Sequence, residues 1–342
     1  MNQARIGASY NERFMPVRDV LIVGGGPSGL ATAIAAKHFG LDYLVLEQGA
    51  LVDAIARFPT NMVFFTTPEL LEIGGLPLTT PFDKPTRVEA LQYYRKVVDT
   101  FQLQVQLYEH VVAVQPPEQP GGVFVVESRT SRGASRAREA RHVVLAMGYY
   151  GLPNLLNVPG ETLPHVSHYY KEAHPYYRQR VVIVGGKNSA AEAALEIYRA
   201  GGYVTMVHRG PGFGESVKYW VKPDIENRVK EGSIAAQFNS RVVEITPTDV
   251  VLDTGVKLPA EHVLLLTGYH ADENFMRRIG IQIHDDTLAP KYNIDTYETD
   301  VPGLFVAGGQ VAGKRTGTVF IENGRFHGEV IAKTIAARSA QE

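Results

Sequence analysis

The chain of 342 residues contains no cysteine. This absence excludes disulfide bonds, zinc sites with thiolate ligands, a cysteine nucleophile and a redox-active dithiol. A surplus of charge of one sign is also lacking, because 34 lysines and arginines stand against 36 aspartates and glutamates. Without a basic surplus there is little to neutralise nucleic-acid phosphates. We therefore expect no nucleic-acid partner and no metal site.

Long apolar runs are missing as well. Apolar stretches such as residues 181–184 and 263–266 are far shorter than the ~20 residues that span a bilayer. Residues 1–16 contain no apolar segment of signal-peptide length, and we interpret them as a short N-terminal extension. A chain without disulfides suits a reducing compartment. These features predict a cytoplasmic protein with no membrane contact.

The sequence does contain one pattern that occurs twice. Residues 17–29 (VRDVLIVGGGPSG) and 179–190 (QRVVIVGGKNSA) are β-branched apolar runs that stop at glycines and enter Ala-rich stretches. A second apolar run follows each stretch, at residues 43–46 and 203–207. A strand, a tight turn, a helix and a second strand form a right-handed parallel βαβ unit. The sequence therefore predicts an α/β protein with two Rossmann-like dinucleotide-binding domains.

The segment between the two repeats is predicted to be a β-hairpin or meander. Residues 111–145 alternate apolar and polar positions around Pro-Pro and Gly-Gly. Five arginines fall within residues 129–141. Because the total charge is nearly neutral, we interpret them as a solvated hairpin tip rather than an anion-binding patch.

The first glycine motif has the features of a flavin-nucleotide site. Gly24, Gly26 and Gly29 form G-x-G-x-x-G between a predicted strand and a predicted helix. The three glycines allow a tight turn, a close approach to a pyrophosphate and close packing of helix on strand. Glu47 follows 23 residues after Gly24, where an acid can accept hydrogen bonds from ribose hydroxyls. This combination predicts an FAD site.

The second glycine motif departs from the first in a way that favours NADPH. Gly185 and Ala190 occupy the outer positions, but Lys187 replaces the middle glycine. His208 and Arg209 stand where the first motif has its acid. A carboxylate would repel a ribose 2′-phosphate, whereas a guanidinium binds one in bidentate geometry. We therefore expect NADPH to be preferred over NADH.

These motifs resemble those of the thioredoxin-reductase-like class of two-domain flavoproteins. The stretch at residues 300–309 (DVPGLFVAGG) resembles the late strand that reaches the flavin in that class, although Gly309 replaces the usual Asp. Gln310 or a backbone amide would then take over its contact. A closer resemblance, over about residues 17–336, is to the bacillithiol disulfide reductase family. It rests on residues 58–77 (FPTNMVFFTTPELLEIGGLP), 169–190 (YYKEAHPYYRQRVVIVGGKNSA) and 321–328 (IENGRFHG).

The resemblance implies a discontinuous FAD domain at about residues 17–154 and 269–338, with an NADPH domain at about 155–268 inserted between its parts. It also implies a homodimer or a higher homo-oligomer. The predicted FAD-site residues are Gly24, Gly26, Pro27, Ser28, Gly29, Glu47, Gln48, Val112, Ala146, Met147, Gly148, Gly308, Gly309, Gln310, Thr318 and Val319. The predicted NADPH-site residues are Gly185, Gly186, Lys187, Asn188, Ser189, Ala190, His208, Arg209, Lys218 and Gly268.

The lack of thiols restricts the mechanism that the resemblance implies. Many members of the family carry cysteine where this chain has Ser28, and thioredoxin reductases carry Cys-x-x-Cys where it has residues 165–176 (HVSHYYKEAHPY). A relay through protein thiols is therefore excluded, and electrons must pass directly from flavin to the acceptor. In the alternative interpretation, Ser28 is a helix cap.

The identity of the acceptor and of any catalytic side chain stays open at this point. A low-molecular-weight thiol disulfide, implied by the family to be bacillithiol disulfide, is the first hypothesis. The alternatives are a ferredoxin, flavodoxin or quinone reductase, a flavin monooxygenase, and a sensor with little turnover. Glu192 and His327 are the candidate catalytic residues. Tyr149, Tyr150 and Tyr269 either stack on a cofactor or pack at the domain hinge.

Overall fold

The structure, a computed structural model, describes residues 16–119 and 121–339. Apart from Pro16, the expected N-terminal extension lies outside the described residues. The first part of the chain forms β1 (Arg18–Val23), α1 (Pro27–His38), β2 (Tyr43–Leu46), α2 (Asp53–Ala56), α3 (Pro68–Leu71), α4 (Arg87–Phe101), β3 (Val105–Gln106), β4 (Glu109–Gln115), β5 (Phe124–Thr130) and β6 (Ser135–Leu145).

The second part forms another α/β unit and ends by returning to the first. Its elements are β7 (Val166–Ser167), β8 (Arg180–Val184), α5 (Asn188–Arg199), β9 (Tyr203–Val207), α6 (Lys222–Lys230), β10 (Ala235–Gln237), β11 (Val242–Ile245), β12 (Asp249–Leu252), β13 (Lys257–Pro259) and β14 (His262–Leu265). The chain then forms α7 (Glu273–Arg278), β15 (Leu304–Val306), α8 (Ile321–Gly324) and α9 (His327–Ser339), with 3₁₀ turns at His174–Tyr176 and Gly308–Ala312.

Two sheets carry the two glycine motifs. The first has the order β3-β2-β1-β6-β5-β4, and β15 also pairs with β6. Strands β1, β2, β3, β6 and β15 pair in parallel, whereas β4, β5 and β6 form an antiparallel meander. The second sheet is parallel, in the order β10-β9-β8-β14-β7. Strands β11, β12 and β13 form a separate antiparallel sheet. The predicted α/β fold with two Rossmann-like units is therefore confirmed.

Helix α1 is buried because its side chains are small or apolar on nearly every face of the helix. Leu30 and Ala33 are fully buried between the sheet and α9, and burying one leucine side chain contributes about 2 kcal/mol. Helix α9 approaches closely at Gly328, where a Cβ atom would lie 2.5 Å from the backbone of Thr32. His327, the first residue of α9, lies beside the 3₁₀ turn Gly308–Ala312.

The meander corrects one expectation about the arginines of residues 129–141. Arg138 is buried and pairs with the carboxylate of Glu109, which also accepts a hydrogen bond from Arg136 Nη1 at 2.9 Å. Burial alone would raise the pKa of Glu109, but hydrogen bonds from Arg138 and Ser128 and the two arginine charges outweigh it and lower the pKa. Arg136 and Arg138 are therefore paired with Glu109 across the strands of the meander, and they are not simply solvated at a hairpin tip.

In the part of the chain that the structure describes, no helix is long and apolar enough to cross a lipid bilayer. The predicted domain boundaries near residues 154 and 268 lie in the connections before β7 and after β14, and they stay a prediction.

Candidate functional site

A cavity of about 210 Å³ lies at the carboxyl ends of three parallel strands. Strands β1, β2 and β6 end at Val23, Leu46 and Leu145, and the residues that follow them line the cavity. Ligands of open α/β sheets bind in this position. The predicted residues that line it are Gly24, Gly26, Pro27, Ser28, Glu47, Gln48, Ala146, Met147, Gly148, Gly309 and Val319.

The glycines of the first motif have the distinct environments that a nucleotide-binding turn requires. A Cβ atom on Gly24 would overlap the carbonyl oxygen of Ala146, and one on Gly29 would overlap that of Gly24. Gly26, in contrast, faces open space, with no atom within 4 Å of a built Cβ. It also starts α1 without a side-chain cap. The first N–H groups of the helix are therefore left for an anionic ligand.

Glu47 closes one side of this cavity at the end of β2. Its carboxylate accepts hydrogen bonds from the backbone N–H groups of Gly25 at 2.7 Å and Gly49 at 2.9 Å. Burial raises the pKa of Glu47, the two N–H groups counteract that rise, and the charge of Asp53 adds to it. Each carboxylate oxygen keeps a lone pair that can accept a hydrogen bond from a hydroxyl group of a ligand.

Ser28 lines the cavity but does not cap α1. The helix has Gly26 as its N-cap residue and no side-chain capping bond, so the capping interpretation is not supported. A Cβ atom on Gly308 would overlap the Ser28 hydroxyl oxygen. The serine side chain is therefore packed between the first glycine turn and the 3₁₀ turn after β15.

His327 lies behind this wall rather than on the cavity. The backbone N–H of Gly308 donates to His327 Nδ1 at 3.1 Å, and the imidazole stacks on Tyr297 with ring centroids 4.1 Å apart. Burial lowers the pKa of His327 to about 4. The neutral ring holds the Gly308 turn in place, and it does not line the cavity as a catalytic residue would.

Five predicted FAD-site residues also do not line the cavity: Gly29 and Gly308, which shape the two turns beside it, and three others. Val112 is 40% exposed, and its neighbour Val111 lines the cavity instead, because Val111 shares the buried face of β4 with Glu109. Thr318 is exposed beside Val319, which does line it. Gln310 is fully buried, and neither atom of its amide has a hydrogen-bond partner among the described residues. Gln310 therefore does not line this cavity, and its contact with the flavin stays a prediction.

The second glycine turn repeats the geometry of the first. A Cβ atom on Gly185 would lie 2.6 Å from the carbonyl oxygen of Leu266, as one on Gly24 would overlap that of Ala146. The ring of His208 covers Gly186, where a Cβ atom would lie 2.6 Å from it. Burial and the charges of nearby cations lower the pKa of His208. The imidazole is therefore neutral near neutral pH.

The start of α5 is joined to the loop after β9. Asn188 accepts the backbone N–H of Lys218 at 2.8 Å and donates to the carbonyl of Ser216 at 2.9 Å. Lys187 and Ser189 are exposed beside this contact, and Arg209 is exposed at the end of β9. Exposed cations therefore border an exposed helix start, as a site for a phosphorylated nucleotide requires.

Gly268 stands apart from these groups, at the junction of the two units. Its φ is +88°, and its carbonyl accepts a hydrogen bond from the backbone N–H of Asn154 at 2.9 Å. This glycine therefore shapes the connection after β14.

Comparison with known proteins agrees with this geometry. The profile of the family described as pyridine nucleotide-disulphide oxidoreductase matches residues 21–308. The chain belongs to this family. Bacilliredoxin reductase Bdr of Bacillus subtilis (strain 168) is 42% identical over 322 residues, which cover 93% of this chain and 97% of that protein.

Solved structures give the same result. Bacillithiol disulfide reductase Bdr (YpdA) from Bacillus cereus has a TM-score of 0.91 and 42% identity, covering 94% of this chain and 100% of that one. The Staphylococcus aureus protein of the same name has a TM-score of 0.88 and 40% identity, covering 95% and 99%. The predicted resemblance is therefore confirmed, and the chain is a flavin-dependent oxidoreductase.

The family's flavin and nicotinamide cofactors fit the two glycine turns. At the first turn, the open face of Gly26, the uncapped start of α1 and the carboxylate of Glu47 match a flavin nucleotide. When bound, a flavin supplies two-electron transfer between a nicotinamide and an acceptor. The oxidoreductase itself contributes the anion-binding turn, the ribose acceptor and the walls that orient the ligand.

Glu192 of the oxidoreductase lies one turn into α5, next to Lys218. Burial, together with repulsion from Glu196, raises the pKa of Glu192 to about 7, although Lys218 opposes the rise. The ammonium of Lys218 also lies 4.9 Å from the ring centroid of Phe65 and 5.9 Å from that of Trp220. Glu192 can therefore exchange a proton near neutral pH. Through its contact with the Phe65 ring, Lys218 also connects the second α/β unit to the first.

Two of the strand-end tyrosines line the cavity, and the third packs on one of them. Tyr149 and Tyr150 line the cavity, whereas Tyr269 packs on Tyr150 with ring centroids 4.6 Å apart. Phe58, on the cavity wall, meets Tyr150 edge to face at 4.8 Å. Burial raises the pKa of Tyr150.

Several cavity residues were missing from the sequence prediction. They are Asp53, Ala54, Ile55, Arg57 and Phe58 after β2, Glu109, His110 and Val111 on β4, and Gly151, Phe320 and Ile321. Residues 53–58 could have been suspected, because they separate the ribose acid from the family-like stretch that starts at residue 58. The others come to the cavity through contacts that no local pattern records.

Proposed function

We propose that this protein is an NADPH-dependent FAD flavoprotein that reduces a low-molecular-weight thiol disulfide, and that bacillithiol disulfide is the physiological substrate. The observation that carries the proposal is the nearly full-length similarity, at 40–42% identity, to proteins named for bacilliredoxin and bacillithiol disulfide reduction. A homodimer in the cytoplasm is part of the proposal.

The choice of FAD rests on the adenosine end of the cavity. Glu47 is positioned by two backbone N–H groups at the end of β2, and Val111 lines the same cavity from β4. An FMN-sized ligand has no adenosine to use these contacts. Denatured protein should therefore release FAD rather than FMN, which chromatography of the released flavin measures.

The choice of NADPH rests on the exposed cations at the second turn. Arg209 and Lys187 are exposed, and no carboxylate occupies the end of β9. A guanidinium offers a bidentate site to a 2′-phosphate. We also include Asn188, Ser189 and Lys218 in the proposed NADPH site, because they lie beside the start of α5.

Direct electron transfer to the disulfide follows from the composition. No protein thiol can form a mixed disulfide in a chain without cysteine. At the position where many relatives carry the thiol, Ser28 lines the cavity and its hydroxyl packs against Gly308. Ser28→Ala should therefore keep most of the disulfide reductase activity, whereas a mechanism that needs the hydroxyl as a nucleophile predicts its loss.

The proposal is tested by anaerobic stopped-flow. The purified protein is reduced with NADPH and then mixed separately with bacillithiol disulfide, oxidised ferredoxin and oxygen. We expect bacillithiol disulfide to reoxidise the flavin fastest. Faster reoxidation by ferredoxin or oxygen would replace this function with an electron-carrier reductase or a monooxygenase. Failure of all three would favour a sensor.

A further inference from the structure

Arg57 introduces a positive charge into a cavity whose other charged side chains are mostly acidic. It directly follows α2 and lines the cavity together with Glu47 and Asp53. Among the described residues that line this cavity, it is the one lysine or arginine. Its side chain is 38% exposed, so the charge is open to a ligand.

The guanidinium is held in position from one side. Its Nε atom lies 2.8 Å from Asp53 Oδ2, and its Cζ lies 5.8 Å from the ring centroid of Tyr150. The backbone of Arg57 is also fixed, since its N–H donates to the carbonyl of Asp53 at 3.0 Å and its carbonyl accepts the Tyr150 hydroxyl at 3.4 Å. The ion pair with Asp53, in which Nε lacks hydrogen-bond geometry, and the Tyr150 ring therefore keep the guanidinium at the cavity wall.

The outer edge of the guanidinium is left unused. Nη2 points toward Gly151 on the cavity wall, 3.8 Å from where a Cβ atom on that glycine would lie. Within the described residues, neither terminal nitrogen of Arg57 has a hydrogen-bond acceptor. Two parallel N–H donors with no acceptor form a fork that matches a carboxylate or a phosphate.

We propose that Arg57 is an oxyanion-binding residue of this cavity, and that it pairs with a carboxylate or phosphate of the bound molecule. The oxyanion has two possible sources, the carboxylate of an acidic disulfide substrate or a phosphate of the flavin nucleotide. The first source rests on the proposed function, and the second does not. Phe58 and Tyr150 form the apolar side of the same wall.

The test compares Arg57→Gln with the matched control Arg277→Gln, which removes an exposed arginine of α7 that pairs with Asp285. Binding to the oxidised holoenzyme is measured by calorimetry for two small disulfides of similar size. One is the dianion 2,2′-dithiodiacetate and the other is the uncharged bis(2-hydroxyethyl) disulfide. Flavin affinity is measured separately, by the fluorescence of flavin released on dilution.

For a substrate carboxylate, Arg57→Gln should weaken binding of the dianion by about tenfold or more and leave the neutral disulfide unchanged. For a cofactor phosphate, it should weaken flavin binding by a similar factor. The affinity of Arg57→Lys should lie between those of the wild type and Arg57→Gln, because an ammonium keeps the positive charge but loses the two parallel donors of the guanidinium. Unchanged binding of both the dianion and the flavin would overturn the proposal, as would equal weakening for the two disulfides with flavin binding unchanged.

These measurements are separate from the test of the proposed function. If neither disulfide is bound or reduced by the wild-type protein, the disulfide reductase function fails, while the flavin measurement still decides whether Arg57 binds an oxyanion. The thermal midpoints of the variants are recorded as well. If Arg57→Gln does not fold, Arg57→Lys alone decides, since a purely structural role predicts no selective loss for the dianion or the flavin.

Discussion

Replacing Glu192 by glutamine should make the protein more stable above neutral pH. Burial raises the pKa of Glu192 from its ordinary value of 4.5 to about 7, with repulsion from Glu196 adding to the rise and Lys218 opposing it. A carboxyl whose pKa is higher in the folded protein than in the unfolded chain stabilises the fold fully below pH 4.5. That contribution is lost as the pH rises through about 7.

The size of the effect follows from the two pKa values. One tenfold change in proton affinity corresponds to about 1.4 kcal/mol, so ionising Glu192 in the fold costs about 3 kcal/mol. Partial exposure of the carboxyl to solvent reduces this to about 2 kcal/mol. Glutamine never ionises, and Glu192→Gln should therefore gain about that amount at pH above 7. For a chain of 342 residues, this corresponds to a rise in Tm of about 3 °C.

The assay is thermal unfolding of the flavin-loaded protein without NADPH, followed by intrinsic fluorescence between pH 4 and pH 8. The wild-type Tm should fall relative to that of Glu192→Gln as the pH rises through the range between the two pKa values, and the two should converge near pH 4. The exposed Glu118→Gln serves as the control, and its curve should follow the wild type. A Glu192→Gln protein that is less stable at pH 8, or that shows the same pH dependence as the wild type, would refute the reasoning.

Three further predictions concern the glycine turns and the meander. Arg209→Ala should raise the KM for NADPH far more than the KM for NADH in steady-state assays; equal effects would remove Arg209 from 2′-phosphate recognition. Gly29→Ala would place a Cβ atom on the carbonyl oxygen of Gly24. It should cost about 3 kcal/mol of stability and release the flavin on gel filtration, and a protein that stays yellow and stable would contradict the packing argument. Glu109→Gln leaves the buried Arg138 without its charge partner and should cost about 3–5 kcal/mol in urea unfolding. Adding Arg138→Met should restore much of the loss, and a double variant as unstable as the single one would show that the pair is not the cause.

The first βαβ unit was predictable because local patterns specify it completely. The glycine spacing of the first motif, the small residues of α1 and the acid after β2 each impose a backbone or packing requirement. The structure meets those requirements with Gly24 against Ala146 and Gly29 against Gly24. The second turn was predictable for the same reason.

The prediction failed where contacts join distant segments. Val112 was predicted to line the flavin site, but Val111 shares the buried face of β4 with Glu109 and lines the cavity instead. Gln310 was assigned by its place next to Gly309, yet the 3₁₀ turn buries it in the protein interior. Arg138 was expected in solvent, and cross-strand pairing with Glu109 brings it inside.

The sequence by itself determined the two nucleotide-binding units, the absence of any protein thiol and the different charge at the two strand ends. Each of these depends on residue type and short spacing, which fix backbone geometry and chemistry locally. The tertiary structure alone decided which side chains surround the cavity. Arg57, Tyr150 and Phe58 meet there because segments after β2 and β6 converge at one edge of the sheet. Burial, which depends on the whole fold, also decided that Glu192 exchanges its proton near neutral pH and that His327 stays uncharged.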